Sequence, residues 1–251
     1  RRCAQYVLEQ NKVRLILTTP YEHDDEIARH IHLHGDGVKA IALSVDSADE
    51  AYAETIGRGA ESVREPWDLS DENGHSRLAE IKCYGDTIIR FVERNGFDGA
   101  FLPKFEPYEA TFDVEPVGIS AVDHIVGNVE LGKMNYWVDW FHRVLGFRQI
   151  VHYDDKVIHT EYSALMSKVM ANGNSRIKFP INEPAEGRKK SQIEEYLEYY
   201  NGPGVQHLAL ITGDIISTVR KLRDNGIEFL RVPDVYYCLL YTSPSPRDSC
   251  A

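Results

Sequence analysis

Two histidines stand in short apolar runs of matching pattern: His124 in Val122-Asp123-His124-Ile125-Val126, and His207 in Gly204-Val205-Gln206-His207-Leu208-Ala209-Leu210. Alternate side chains of a strand share a face, so His124 goes with Val122 and Val126, and His207 with Val205, Ala209 and Ile211. Both imidazoles then point inward among apolar neighbours. A neutral imidazole is a ligand for divalent transition metals, and two in one cavity form a metal half-site. Taken singly, each histidine reads more simply as a core residue hydrogen-bonded to backbone. Their equivalence within a repeat is what favours a shared metal.

The repeat has a third member, Gly37-Val38-Lys39-Ala40-Ile41-Ala42-Leu43, and the key positions are evenly spaced, since 124 − 40 = 84 and 207 − 124 = 83. A unit copied along a chain fixes the architecture before any motif is interpreted. The aligned position is Ala40 in the first copy and histidine in the other two. A helical pattern follows each strand. In the second copy Met134, Trp137, Val138, Phe141, Val144 and Leu145 fall at helical spacing, with Gly146 placed for a left-handed C-terminal cap. In the third, Asp214 caps a helix through Ile215, Ile216, Val219 and Leu222 that ends at Asn225-Gly226. In the first, Ser47 and Glu50 have the spacing of a capping box. The unit is strand, helix, then further strands.

The first copy spans Gly37 to about Asn95, with extended segments expected at 62–67, 76–84 and 87–93. The second spans about Ile119 to Pro184, with strands expected at 148–153, 157–162 and 176–181, and 163–174 as an inserted connection. Residues 186–200 are charged and helical in character. The third copy starts at Gly204 and continues to about Tyr237. Residues 1–20 read as a hairpin, and 21–36 as a polar connector holding His23, His30, His32 and His34. The His-x-His-x-His run would share a strand face and could bind a metal, but it lacks a nearby acidic or cysteine partner in sequence. The proline- and aromatic-containing segment 97–116 reads as an interdomain linker that packs.

The whole chain has 251 residues, 43% hydrophobic and 27% charged, enough for one or two cores, and two domains is the expectation. A net charge of −11 argues against a nucleic-acid partner, because phosphate contacts need a basic face. No run approaches the roughly 18 apolar residues of a spanning helix, so a membrane partner is not expected. Phosphate-loop, dinucleotide and Gly-x-Ser-x-Gly signatures are absent. The chain begins at Arg1 inside strand-like sequence, and Cys238 to Asp248 resembles the translation of a sequencing adapter, so residues 238–251 are expected to be a non-native tail. That leaves Cys3 and Cys83, too few for a disulfide framework, which fits a reducing cytoplasm.

Val122 to Val129, Pro180-Ile181-Asn182-Glu183-Pro184, Ser191-Gln192-Ile193 and Gly204-Val205-Gln206-His207 together resemble the 4-hydroxyphenylpyruvate dioxygenase family, over essentially Arg1 to Tyr237. The resemblance implies an α+β chain of repeated βαβββ modules of the vicinal oxygen chelate fold, with the first and last modules incomplete. It implies a metal-free domain over 1–117, in keeping with Ala40, and an iron-binding catalytic domain over 118–237. It further implies non-haem Fe(II) held by two His and a carboxylate, with a 2-oxo acid and O2 as small-molecule partners and homogentisate as product in tyrosine catabolism. His124 and His207 match the metal ligands; Ser167, Asn182, Gln192 and Gln206 match substrate-binding positions, Gln192 and Gln206 being those that would serve catalysis. The residues alone leave other readings open. Ser167 reads equally as polar surface, Asn182 as a turn former, and Gln192 as part of a solvated helix. Gln206, next to His207, would face the opposite side unless the strand start is twisted or bulged. The third ligand of the family, a glutamate on a late strand of the last module, would fall beyond Tyr237. The 251-residue chain is therefore expected to be inactive, and a homo-oligomer, dimer or tetramer, is the family's expectation. The alternatives are a 4-hydroxymandelate synthase and a non-catalytic binding protein of the same fold.

Overall fold

A computed structural model describes residues 3–109, 111, 115–153, 159–160, 163–184 and 190–230. The adapter-like tail and the expected position of the third ligand lie outside them. Two compact units are separable: 1–114 with 119–211, and 115–118 with 212–251.

The first unit opens with a hairpin, β1 (Cys3–Gln10) and β2 (Val13–Pro20), turning at Asn11 with φ 52°. Its turn is fastened to a distant strand: Gln10 Oε1 accepts from the Ile119 amide at 2.9 Å, and the Lys12 amide donates to the Ser120 carbonyl at 3.0 Å. Next comes α1 (Glu26–His34), where a polar connector was expected. Asp25 caps it, accepting from the Ile27 amide at 2.7 Å, and Gly35 closes it at φ 71°. The helix escaped notice because its buried positions are His30 and His34, and Ile27 and Ile31 are the only large aliphatics on their face, too few for a clear apolar stripe.

The first module follows as β3 (Ala40–Ser44), α2 (Ala48–Gly57), β4 (Ser62–Asp71), β5 (Gly74–Lys82) and β6 (Ile88–Phe97), in the sheet order β3-β6-β5-β4. Its first strand is parallel to its last. The second module repeats the plan with β7 (Ile119–Asn128), α3 (Met134–Leu145), β8 (Arg148–Tyr153), β9 (His159–Thr160), β10 (Ser163–Ala171) and β11 (Lys178–Pro184). The order is β7-β11-β10-β8, β9 pairs β10, and β7 is again parallel to β11. The repeated unit is thus βαβββ, as expected, with the two-residue β9 added beside β10 in the second module. The expected connection at 163–174 is instead mostly β10, which pairs with β11 from Leu165–Pro184 to Ala171–Lys178. Its Ala, Leu, Met and Lys content favours helix, and Val169 is its one β-branched residue, so propensity concealed the strand. Then come α4 (Gln192–Tyr199), started by a complete Ser191–Glu194 capping box, and β12 (Gly204–Thr212), which pairs beside β7.

Both modules feed one hydrophobic cluster: Ile41, Ile81, Ile89 and Phe91 from the first meet Phe141, Val144, Phe179 and Ile181 from the second. Tyr84, fully buried, sits between them edge-on to Trp137. In the second unit α5 (Ile215–Asp224) begins at Asp214, whose carboxylate accepts from the Ser217 amide at 3.0 Å, and ends before Gly226 at φ 85°. Among the described residues no helix is long and apolar enough to cross a membrane.

Gly127 on β7 is a close approach: a Cβ there would lie 2.6–2.8 Å from ring atoms of Tyr84. Gly127→Ala should therefore overpack the junction and cost about 1–3 kcal/mol, a fall of several degrees in thermal midpoint. Adding Tyr84→Leu should recover part of the loss. A midpoint unmoved by Gly127→Ala would mean the ring can step aside.

Candidate metal centre

Pairing of β7 with β12 brings the two histidines together. Their ring centroids are 5.9 Å apart at an interplanar angle of 72°. Each ring is fixed from its Nδ1 side. His124 Nδ1 lies 2.8 Å from Asp123 Oδ2, and the other Asp123 oxygen accepts from Lys178 Nζ at 2.6 Å. His207 Nδ1 lies 2.9 Å from Gln206 Oε1. Carboxylate and amide oxygens only accept, so both imidazoles carry their proton on Nδ1 and present an Nε2 lone pair. Orientation of a ligand ring through its second nitrogen is what a metal site requires. His207 is exposed and His124 half-buried, so the pair is open to solvent rather than turned inward among apolar neighbours as the strand pattern suggested. Partial desolvation of the ring, then the neighbouring His124, lowers the His207 pKa. The hydrogen bond from His124, then that from Lys178, holds the Asp123 carboxyl below the usual range.

The face that carries His124 is polar further along. Strand periodicity puts His124, Val126 and Asn128 on one side of β7, and register sets Asn182 beside Asn128 and Ser167 opposite Asn182. Ser167, Asn182 and Asn128 are buried, at 6%, 8% and 0% exposure. Asn182 Nδ2 reaches Asn128 Oδ1 only at 3.5 Å, and Asn128 Nδ2 has no hydrogen-bond partner among the described residues. One buried amide nitrogen, Asn128 Nδ2, is thus left as a donor that a water or a polar ligand would satisfy. The opposite face of β11 is core: Phe179 and Ile181 join the hydrophobic cluster, and the buried Glu183 accepts from the Met134 amide at the start of α3.

Of the residues singled out in the sequence, the structure brings together His124 with His207 and Ser167 with Asn182, and joins Gln206 to His207. Gln206 and His207 adjoin in sequence and are tied by the 2.9 Å contact between Gln206 Oε1 and His207 Nδ1, while Val205 and Leu208 both touch the hydrophobic cluster. Gln192 is exposed in the first turn of α4, and none of the described hydrogen bonds ties it to the histidines or the amide row. Sequence reasoning missed Asp123, Lys178, Asn128 and Glu183. Asn128 was within reach, being two strand steps of two from His124; Lys178 and Glu183 depend on pairing that no local pattern encodes.

A carboxylate does stand near another histidine pair. His30 and His34 of α1 and Asp86 of the β5–β6 turn have ligand atoms within 4.8 Å of one another, the one such group among the described residues. His23 and His32 are exposed and take no part in it.

The sheet order and the facing imidazoles define a class. Residues 121–248 match the family model of the glyoxalase/bleomycin resistance protein/dioxygenase superfamily. The chain is 45% identical over 247 residues to a 4-hydroxyphenylpyruvate dioxygenase of Dictyostelium discoideum, 96% of this chain and 67% of that protein. It is 43% identical to one from Tetrahymena thermophila, over 94% of this chain and 61% of the relative, and 42% identical to one from Xenopus tropicalis, over 94% and 62%. Among solved structures, a triple mutant of 4-hydroxymandelate synthase from Streptomyces coelicolor superposes with a TM-score of 0.82 at 26% identity, covering 97% of this chain and 69% of that one. The chain belongs to the 4-hydroxyphenylpyruvate dioxygenase family. It spans between 61% and 67% of the length of the three relatives named. Membership of this superfamily and family suggests a metal cofactor.

The Glu183 carboxylate ties the polar-row strand β11 to α3. Glu183→Ala leaves the Met134 amide unpaired in a buried setting and should cost about 1–3 kcal/mol, with Glu183→Gln milder. Thermal unfolding of the two variants measures this; equal stability with wild type would mean the helix start finds another acceptor.

Proposed function

We propose that this chain carries the two-histidine part of a non-haem Fe(II) centre, in an enzyme that converts 4-hydroxyphenylpyruvate and O2 to homogentisate and CO2. The observation that supports it most is the facing pair His124 and His207, each with Nδ1 engaged and Nε2 without a hydrogen-bond partner among the described residues. Two neutral imidazoles fit a divalent iron, and a carboxylate would complete the facial set that leaves open positions for a 2-oxo acid and O2. Bound iron would supply the redox chemistry that couples O2 to decarboxylation of the 2-oxo acid and hydroxylation of its ring.

The chain's own residues prepare that chemistry. Asp123, itself held by Lys178, keeps the proton on His124 Nδ1 and the ring in one orientation; Gln206 does the same for His207. The amide and hydroxyl row of Ser167, Asn182 and Asn128 offers donors and acceptors to the polar groups of the substrate. Core packing on the reverse face keeps these strands rigid, so the row is preorganised rather than recruited. Gln192 and Gln206 are proposed as substrate-orienting residues, Gln192 on family resemblance alone. In this reading residues 118–237 hold the catalytic metal, and 1–117, with Ala40 at the equivalent strand position, do not. The free thiols Cys3 and Cys83 fit a reducing cytoplasm.

A 4-hydroxymandelate synthase is the second reading, favoured by the TM-score of 0.82 with that enzyme. It shares substrate and metal in this proposal and differs in the carbon hydroxylated. Chromatography of the product formed by the enzyme that contains this chain separates the two.

Metal titration tests the ligand assignment directly. His207→Ala should weaken Fe(II) or Co(II) binding by far more than tenfold, and Asp123→Asn by about 10–100-fold through loss of ring orientation. Unaltered affinity in His207→Ala would remove it from the ligand set. Asn182→Ala should leave metal affinity in place and weaken binding of 4-hydroxyphenylpyruvate by about tenfold, the worth of one hydrogen bond.

A further inference from the structure

The group formed by His30, His34 and Asp86 is separate from the facing pair on β7 and β12, and its hydrogen-bond arithmetic does not close. His34 Nδ1 lies 2.5 Å from the Tyr200 carbonyl oxygen, which can only accept, so the proton sits on Nδ1. Its Nε2 then presents a lone pair to Asp86 Oδ2, another acceptor, at 2.9 Å. Two acceptors at that distance need a cation, either a second proton on His34 or a metal ion. The neighbouring ring decides between them. His30 is 6% exposed, its centroid is 4.7 Å from that of His34, and its Nδ1 is buried with no hydrogen-bond partner among the described residues. A proton on His34 repairs one contact and leaves His30 unpaired beside a positive ring. A metal ion would satisfy the facing acceptors of His34 and Asp86 and, bound through Nδ1 of His30, that unpaired nitrogen as well.

We propose that His30, His34 and Asp86 form a second, structural metal site that takes a borderline divalent ion of the zinc type. Its donor set is two imidazoles and a carboxylate, which suits zinc. Ligands each about 2.1 Å from a zinc ion stand about 3.0–3.4 Å apart; His34 Nε2 and Asp86 Oδ2 are already 2.9 Å apart, and the His30 ligand atom, within 4.8 Å of both, would draw in as the ion binds. The Nδ1–H bond from His34 to a backbone carbonyl is the outer contact by which ligand histidines are held. Tyr200 also stacks on the His34 ring at 4.3 Å, and its hydroxyl lies 3.4 Å from His30 Nε2. The histidines sit four apart on α1 and so share one helix face. A nearby cation, Lys39, donates to the Asp86 carbonyl at 3.1 Å and is 3.3 Å from Glu26, which offsets its charge. The ion would clip α1 to the β5–β6 turn, and through Tyr200 to the end of α4. The reading is independent of the proposed iron centre.

The test uses the full chain with His124→Ala and His207→Ala, so that the facing pair contributes no ligands, stripped with a chelator and titrated with Zn(II) alone. One equivalent should bind and raise the thermal midpoint. Asp86→Asn and His30→Gln, which keep side-chain shape, should each weaken zinc binding by at least about tenfold. A stripped protein that takes up no zinc overturns the proposal, and so does zinc binding that both substitutions leave unchanged. Neither result bears on iron at His124 and His207, which is titrated separately in the wild-type chain.

Discussion

Everything proposed for the site depends on one strand pairing, β12 against β7. Strands in a sheet run about 4.8 Å apart, so residues 83 positions distant in sequence are delivered to within ring contact once the first strands of successive modules lie side by side. Each module supplies a single imidazole; neither could bind an ion alone. The pairing is supported from several directions. The hairpin β1–β2 fastens the start of β7, β11 flanks it in parallel, and Tyr84 of the first module fills the space left by Gly127.

The same sheet separates two jobs by parity. On β11, Phe179, Ile181 and Glu183 face α3 and the core, while Asn182 faces the other way, beside Asn128 and opposite Ser167. A shift of one residue in the β10–β11 register would exchange these sets, burying the amide in the core and exposing Phe179 to the ligand face. The energetic penalty against that slip is large, because unpaired buried amides and exposed aromatics are each costly. The proposed substrate row and the stability of the fold thus rest on the same register.

The repeat was legible because strand and helix periods recur at nearly equal intervals, and the topology β3-β6-β5-β4 against β7-β11-β10-β8 returns that repeat in space. The facing histidines were legible for the same reason: a chemically odd residue at an equivalent place in two copies stands out against Ala40 in the first. What stayed hidden had a physical cause in each case. α1 buries histidines instead of aliphatics, β10 is written in helix-favouring residues, and Lys178 finds Asp123 only through the β7–β11 pairing. Asn128 belonged to a quoted motif yet was given no role of its own, since its significance lies in being buried with an unpaired amide, which only neighbours reveal.

The two histidine pairs show how differently one chain can place the same donor. His124 and His207 are far apart in sequence, so their meeting is a property of the fold, and any ion between them reports on correct assembly of two modules. His30 and His34 are four apart on one helix and meet whenever α1 forms; only Asp86 and the Tyr200 carbonyl are brought by tertiary structure. A helical pair of this kind is available early in folding, because local contacts need little loop closure, whereas the strand pair must wait for the sheet. A structural ion at the first would therefore stabilise the frame in which the second pair is later aligned, giving the Ala40-bearing module a role in building the proposed centre.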